Sequence, residues 1–209
     1  MKHIGLTQRV DIISSYGERR DAIDQQWYSL FFEMNMMPVL LPNIPPEYVS
    51  EYFTEFQLDG IVFTGGNSLC HLDKNANDCA PERDLFELTL IEHTQKINLP
   101  IFGVCRGMQI INHYFGGNLH PVKGHIAINH DISSLSTAIE LPRTVNSFHG
   151  WTIPENGLGQ HLKPIAQDMD GNIEGFIHET KRVAGIAWHP ERVTPFNSLD
   201  LQFMKRILL

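Results

Sequence analysis

Short apolar runs that end at Gly or Pro alternate with amphipathic stretches through the first half of this chain, and this alternation limits the fold more than any other feature. Residues 3–10, 38–42, 60–63 and 100–104 read as strands. Between them, residues 21–37 carry Ile23, Trp27, Leu30, Phe31 and Met34 at helical spacing, and residues 81–97 carry Leu85, Phe86, Leu88, Leu90 and Ile91. Residues 45–56 form a weaker helical pattern, and residues 106–114 a further helix closed by Gly116-Gly117. Strands and helices in alternation predict an α/β fold with a central, mostly parallel sheet flanked by helices.

The second half is less regular. Residues 126–132, 136–141, 162–168, 173–178 and 183–188 read as short strands, with a hairpin turn at Asp170-Gly171-Asn172 and a closing helix over 198–208. This region predicts a smaller antiparallel sheet. No repeat or Gly/Ser-rich linker divides the 209 residues, so 1–209 is read as one domain. A formal charge of -8 argues against a nucleic-acid partner. No run approaches the length of a membrane span, and Met1-Lys2-His3-Ile4-Gly5 leads straight into a strand, so a cytoplasmic protein is expected. Three cysteines at unpatterned spacings suggest neither a disulfide framework nor a metal site, and Cys70 and Cys79 read as ordinary buried residues.

Cys105 is different. It sits in Gly103-Val104-Cys105-Arg106-Gly107, where a buried strand gives way to a helix, in the pattern of a nucleophile elbow. A sharp turn of this kind strains the nucleophile's backbone, and flanking glycines remove side chains that would collide. The helix N-terminus favours a thiolate, and the Arg106 N–H is left to bind an oxyanion. Downstream, the apolar run over 183–188 ends in His189-Pro190-Glu191. A histidine at a strand end, with a carboxylate two residues on and a stiffening proline between, fits the base and orienter of a Cys-His-Glu triad. Thr64-Gly65-Gly66-Asn67 offers further N–H groups for an oxyanion hole.

Taken with Phe102, Met108, Gln109 and the run Gly185-Ile186-Ala187-Trp188, these segments resemble the class I glutamine amidotransferase family over the whole chain. The resemblance implies a flavodoxin-like fold, with Cys105 as nucleophile, His189 as general base and acid, and Glu191 as orienter. It implies an oxyanion hole at Gly65, Gly66 and Arg106, and a glutamyl grip by Gln109, Asn146, Ser147, Phe148 and His149. Arg106 after the nucleophile and the segment Asn146-Ser147-Phe148-His149-Gly150-Trp151 resemble the γ-glutamyl hydrolase branch. The stretch 112–119, continuing to Gly124-His125, is similar to a bacterial subgroup from surface-polysaccharide pathways that cleaves γ-glutamyl-CDP-amidate. A glutaminase subunit feeding a separate synthase, a γ-glutamyl-aminobutyrate hydrolase and an inactive binding module are the alternatives. A small γ-glutamyl compound is the expected partner, no cofactor is implied, and a homodimer is left open.

Other features carry plainer expectations. His120, His125 and His130 are spaced five apart, which matches one face of neither a helix nor a strand, so no metal is expected. The loop 120–125 is expected to line the leaving-group pocket, with Lys123 and His125 presenting donors. Arg83-Asp84 reads as part of a helix cap, and Asp21, Asp24 and Glu33 as a solvated helix face.

Overall fold

Apolar runs with no polar face need cover on both sides, and two of them lie side by side at the centre of the molecule. The computed structural model describes residues 1–73 and 76–209. Strands β1 (Lys2–Thr7), β2 (Arg9–Ile12) and β3 (Arg19–Ala22) precede helix α1 (Gln26–Glu33) and strand β4 (Met36–Leu41). A 3₁₀ turn (Pro46–Tyr48) leads into α2 (Val49–Phe56), then β5 (Gly60–Phe63), α3 (Pro81–Ile97), β6 (Ile101–Val104) and α4 (Arg106–Tyr114). The rest comprises β7 (His120–Pro121), β8 (Ile126–Asp131), β9 (Ser133–Ser134), β10 (Thr144–Phe148) and β11 (Trp151–Thr152). After these come β12 (Leu162–Gln167), β13 (Ile173–His178), β14 (Val183–Ile186) and α5 (Ser198–Leu208).

Eight strands form one mixed sheet in the order β4-β1-β5-β6-β14-β13-β12-β9. The pairs from β4 to β14 are parallel and those beyond β14 antiparallel. The antiparallel strands of the second half therefore extend the main sheet, while β8–β10 and β7–β11 make separate two-stranded ribbons. Trp27, Leu30 and Phe31 of α1 and Phe203 of α5 pack on one face of the sheet with Leu6, Phe102 and Ile186. Phe86 and Leu90 of α3 and Met108 and Ile111 of α4 cover the other face with Ile61, Phe63 and Phe176. Helix, sheet and helix layers bury both faces, as parallel strands require.

Four expectations need correction. The first strand is broken at Gln8, and β2 pairs antiparallel with β3 in a hairpin. The helix begins only at Gln26, because Gly17 at φ 74° lets the chain turn back and Asp21 accepts hydrogen bonds from the Asn43 main chain and side chain. Asp21 is thus a strand residue, while Asp24 accepts from the Gln26 N–H. Residues 136–141 are not a strand. There the Ser134 and Ser136 hydroxyls bond to nearby main chain, which competes with a ladder, and Arg206 takes the Ala138 carbonyl.

Cys70 and Cys79 are joined in a disulfide, with Cα atoms 5.2 Å apart. Asn67 donates to the Asp78 carbonyl at 3.0 Å and Asp84 accepts from the Cys70 N–H, so the loop after β5 closes on itself. Sequence spacing carries no trace of that closure.

Candidate active site

Parallel register brings the two halves of the triad together. Val104, the last residue of β6, pairs with Ile186, the last of β14, and the Cys105 N–H donates to the Ile186 carbonyl at 2.8 Å. Cys105 and His189 therefore leave the same edge of neighbouring strands, where the parallel sheet ends and loops begin. Phe63 of β5 pairs with Gly103, which puts Gly65-Gly66 at that edge too.

The elbow is sharp. Cys105 adopts φ 53°, a region costly for any residue but glycine. A Cβ on Gly103 would lie 2.5 Å from the Gly107 main chain, and one on Gly107 would lie 2.0 Å from the Phe63 carbonyl oxygen. Both glycines are thus required by close approach. Gly65 packs against the triad itself, since a Cβ there would meet the His189 ring at 2.7 Å and Cys105 at 3.6 Å.

His189 Nδ1 lies 2.6 Å from Glu191 Oε1, and both residues are buried. Because the carboxylate only accepts, Nδ1 carries a proton and Nε2 is turned to Cys105. Burial alone would push the thiol up, but the charge and hydrogen bond of His189 bring it below its ordinary value, with help from His149 and the Arg106 N–H. Burial opposes the charged form of His189 as well, yet Cys105 and Glu191 raise its affinity for a proton. Both shifts favour a thiolate–imidazolium pair.

A buried ionic network holds the loop Thr64-Gly65-Gly66-Asn67. Arg83 is fully buried and donates to the carbonyls of Thr64, Gly65 and Gly66, to Asn67 Oδ1 and to Glu87. In a trans peptide the N–H points opposite to the C=O. Drawing these carbonyls toward Arg83 therefore turns the N–H groups of Gly65 and Gly66 away from it. Arg106 is buried beside Arg83 and pairs with Glu87 and Asp84. Burial lowers the Arg83 pKa to about 10, which still leaves it charged at neutral pH. The expected cap role of Arg83-Asp84 is thereby corrected: Arg83 holds the Thr64–Gly66 carbonyls, and Asp84 holds the Cys70 N–H and Arg106.

Gln109, His149, Trp151 and Cys105 line one small cavity, where Gln109 Nε2 donates to the Trp151 carbonyl at 2.9 Å. Asn146 clamps the histidine's backbone, accepting from the His189 N–H and donating to its carbonyl, both at 2.8 Å. The Ser147 hydroxyl donates to the His125 carbonyl. Phe148 lies edge-on to the His189 ring at 5.7 Å. His149 Nδ1 is 3.0 Å from the Trp151 carbonyl, and Nε2 is 3.6 Å from Glu174. Glu174 also faces His130 at 3.5 Å, and these histidines hold its pKa down to about 2 against the effect of burial.

Lys123 is exposed on the turn between β7 and β8 and lines neither cavity at the triad. His125 is buried near Asp168 and packs against the rings of His130 and His149. Among the described residues, His125, His149 and Glu174 form one group whose donor atoms lie close enough to share a cation, and His125, Asp168 and Asp170 another. His120 stands apart, 3.4 Å from Asn172. Sequence reasoning missed the Asn146 clamp and Glu174. The signal available for Glu174 is an acidic residue between the apolar positions Ile173 and Phe176 of a strand.

The Peptidase C26 family model matches residues 4–139 and 123–191. The γ-glutamyl-CDP-amidate hydrolase of Campylobacter jejuni is 31% identical over 199 residues, covering 95% of this chain and 94% of that protein. The γ-glutamyl-γ-aminobutyrate hydrolase of Escherichia coli O157:H7 is 26% identical, over 84% of this chain and 80% of its own length. A glutamine amidotransferase structure from Thermotoga maritima superposes at a TM-score of 0.66 with 19% identity, over 99% of this chain and 84% of that one. That likeness bears out the expected fold. Among the described residues no helix is long and apolar enough to cross a membrane. With its elbow, oxyanion loop and strand-end histidine assembled on this sheet, the chain belongs to the Peptidase C26, class I glutamine amidotransferase-like family.

Proposed function

We propose that the chain hydrolyses a γ-glutamyl amide and that its preferred substrate releases a nucleotide phosphoramidate. The observation that carries the hydrolase reading is the Cys105–His189–Glu191 arrangement beside a loop whose carbonyls are held by Arg83. The substrate reading rests on the near end-to-end match with the Campylobacter jejuni hydrolase.

The glutamyl head lies on the Gln109 and His149 side of Cys105, and its γ-carbonyl oxygen faces the N–H groups of Gly65, Gly66 and Arg106. The Cys105 thiolate attacks the carbonyl carbon, and the Sγ–C bond forms as negative charge moves onto the oxygen. The charge returns, the C–N bond breaks, and His189 gives its Nε2 proton to the departing nitrogen. A γ-glutamyl thioester remains. Water then attacks the same carbon while His189 takes its proton. The Sγ–C bond breaks, releasing glutamate and restoring the thiolate–imidazolium pair. Glu191 keeps the Nδ1 proton in place throughout.

Glutamate release from γ-glutamyl-CDP-amidate, glutamine and γ-glutamyl-γ-aminobutyrate tests both levels. The expected kcat/KM for the nucleotide conjugate exceeds the other two by at least roughly 100-fold, since a site built to hydrogen-bond a substrate group rejects analogues that lack it by about 10⁴-fold or more. Equal efficiency on all three rejects the substrate and leaves the hydrolase standing. Release of glutamate from none of them rejects the hydrolase.

A further inference from the structure

Cys105 and His189 stand between two unlike cavities. The one behind Cys105 is about 10 Å³ and is lined by Gln109, His149 and Trp151. The other, about 250 Å³, opens on the far side of Gly65, Gly66 and His189, and its outer wall is the β2–β3 hairpin with the start of α1. On the reading above the glutamyl head lies toward Gln109 and His149, which leaves the larger cavity to the leaving group.

Two arginines line that second cavity, and each is held by its inner end. Arg9 lies across the oxyanion loop: a Cβ on Gly66 would meet its Cβ and Cδ at 3.2 Å. Asp11 holds Arg9 Nε at 2.7 Å. Arg192 lies over the Phe148 ring at 4.5 Å, with its Nε 3.6 Å from Glu191. In both guanidiniums the nearest carboxylate contact is through Nε, to Asp11 for Arg9 and to Glu191 for Arg192. The same lining carries three carboxylates: Asp11 against Arg9, Glu191 against His189, and Asp24, which accepts from the Gln26 N–H. Two planar guanidiniums on one cavity wall suit a phosphate, whose oxygens accept paired N–H bonds.

The hairpin is also tied to the reaction centre. Asn67 accepts from the Val10 N–H and donates to the Val10 carbonyl, both at 2.8 Å, and Arg83 donates to the same Asn67 side chain. Arg9 is therefore set relative to the oxyanion hole by the network that shapes the hole itself. On the γ-glutamyl hydrolase reading above, we propose that Arg9 and Arg192 form a subsite for the phosphate group of the departing phosphoramidate.

Steady-state kinetics of the whole chain and of Arg9→Gln and Arg192→Gln test this with three substrates. These are γ-glutamyl-p-nitroanilide with a neutral leaving group, γ-glutamyl-γ-aminobutyrate with a carboxylate, and γ-glutamyl-CDP-amidate with phosphates. The expected result is a KM increase for the phosphoramidate at least tenfold greater than for the anilide in each variant, partly restored in Arg9→Lys. Equal changes for all three substrates overturn the subsite while the hydrolase stands. An equal or larger loss on the carboxylate substrate overturns the phosphate assignment. Should the wild-type chain cleave none of them, the hydrolase reading fails, and calorimetric titration with CDP decides the subsite alone. Binding weakened tenfold in the variants supports it, and unchanged or absent binding overturns it.

Discussion

The catalytic cleft has two walls, and they are held by different physics. The nucleophile wall, from β5, α3, β6 and α4, is fixed by buried ions: Arg83 and Arg106 against Glu87 and Asp84. The base wall, from β14 and the turn after it, is fixed by hydrogen bonds to its main chain and indole and by the His189–Glu191 contact. Asn146 clamps the His189 main chain, and the Trp188 indole donates to Asp200 at 3.0 Å. The difference follows from what each wall must orient. Main-chain carbonyls of a tight loop need several donors from one rigid side chain, which a guanidinium supplies. A histidine needs its backbone placed and its ring held by one carboxylate.

Breaking the triad across the cleft should produce the largest effects. Cys105→Ala is expected to lower kcat by at least about 10³-fold, with His189→Asn close behind, because triad members act as a unit. Glu191→Gln should cost less than either, since it orients the imidazole and does not carry the transferred proton. Single-turnover assays on one γ-glutamyl substrate measure all three. A His189→Asn chain that still turns over at the wild-type rate would show that the two walls do not work together.

Arg83→Met probes the nucleophile wall alone. It removes every donor from the three loop carbonyls and leaves Glu87 and Arg106 less well balanced. Breaking a buried ion pair on one side costs about 3–5 kcal/mol, readable as a shift of the urea midpoint. In the folded fraction kcat should fall by about 10²-fold, the scale of a displaced oxyanion donor, with KM changed far less. Loss of stability with an unaltered kcat would mean that the loop keeps its shape without Arg83.

The contrast between the walls also explains what could be read in advance. The elbow of the nucleophile wall is local: Cys105, its flanking glycines and the helix start lie within a few residues, so steric need shows in the residue types around Cys105. The parallel strands and α3 were legible for the same reason, as unbroken apolar runs and a 3.6-residue period. The base wall is assembled from distant segments, and nothing around Asn146 marks a clamp 43 residues away from its target. The β2–β3 hairpin was hidden because Ile23, Trp27 and Leu30 continue a helical spacing past the point where the chain turns. The Cys70–Cys79 bond was hidden because its closure depends on Asn67 and Asp84, which lie outside the bridged loop.

The base wall has its own weak point, smaller in effect and dependent on pH. Asp200 is buried, and burial raises its carboxyl to about 6 from the ordinary 3.8; the Trp188 indole opposes that rise, and the charge on Glu191 adds to it. The folded chain thus holds this proton more tightly than the unfolded chain does. The contribution to stability is complete below about pH 4 and is lost as the pH rises through 6, to a total of roughly 3 kcal/mol. Asp200→Asn keeps an oxygen that can accept from the Trp188 indole but never bears the charge. Against the wild type it should therefore be stabilised by about 1–3 kcal/mol at pH 8, with the gain shrinking toward zero near pH 4. Comparing the two chains at each pH removes the shared titration of His189 and Glu174 to first order. Urea midpoints at pH 4, 6 and 8 give the comparison. A variant that is less stable at pH 8 would mean that the charged carboxylate supports the base wall, which would then be held by ions as the nucleophile wall is.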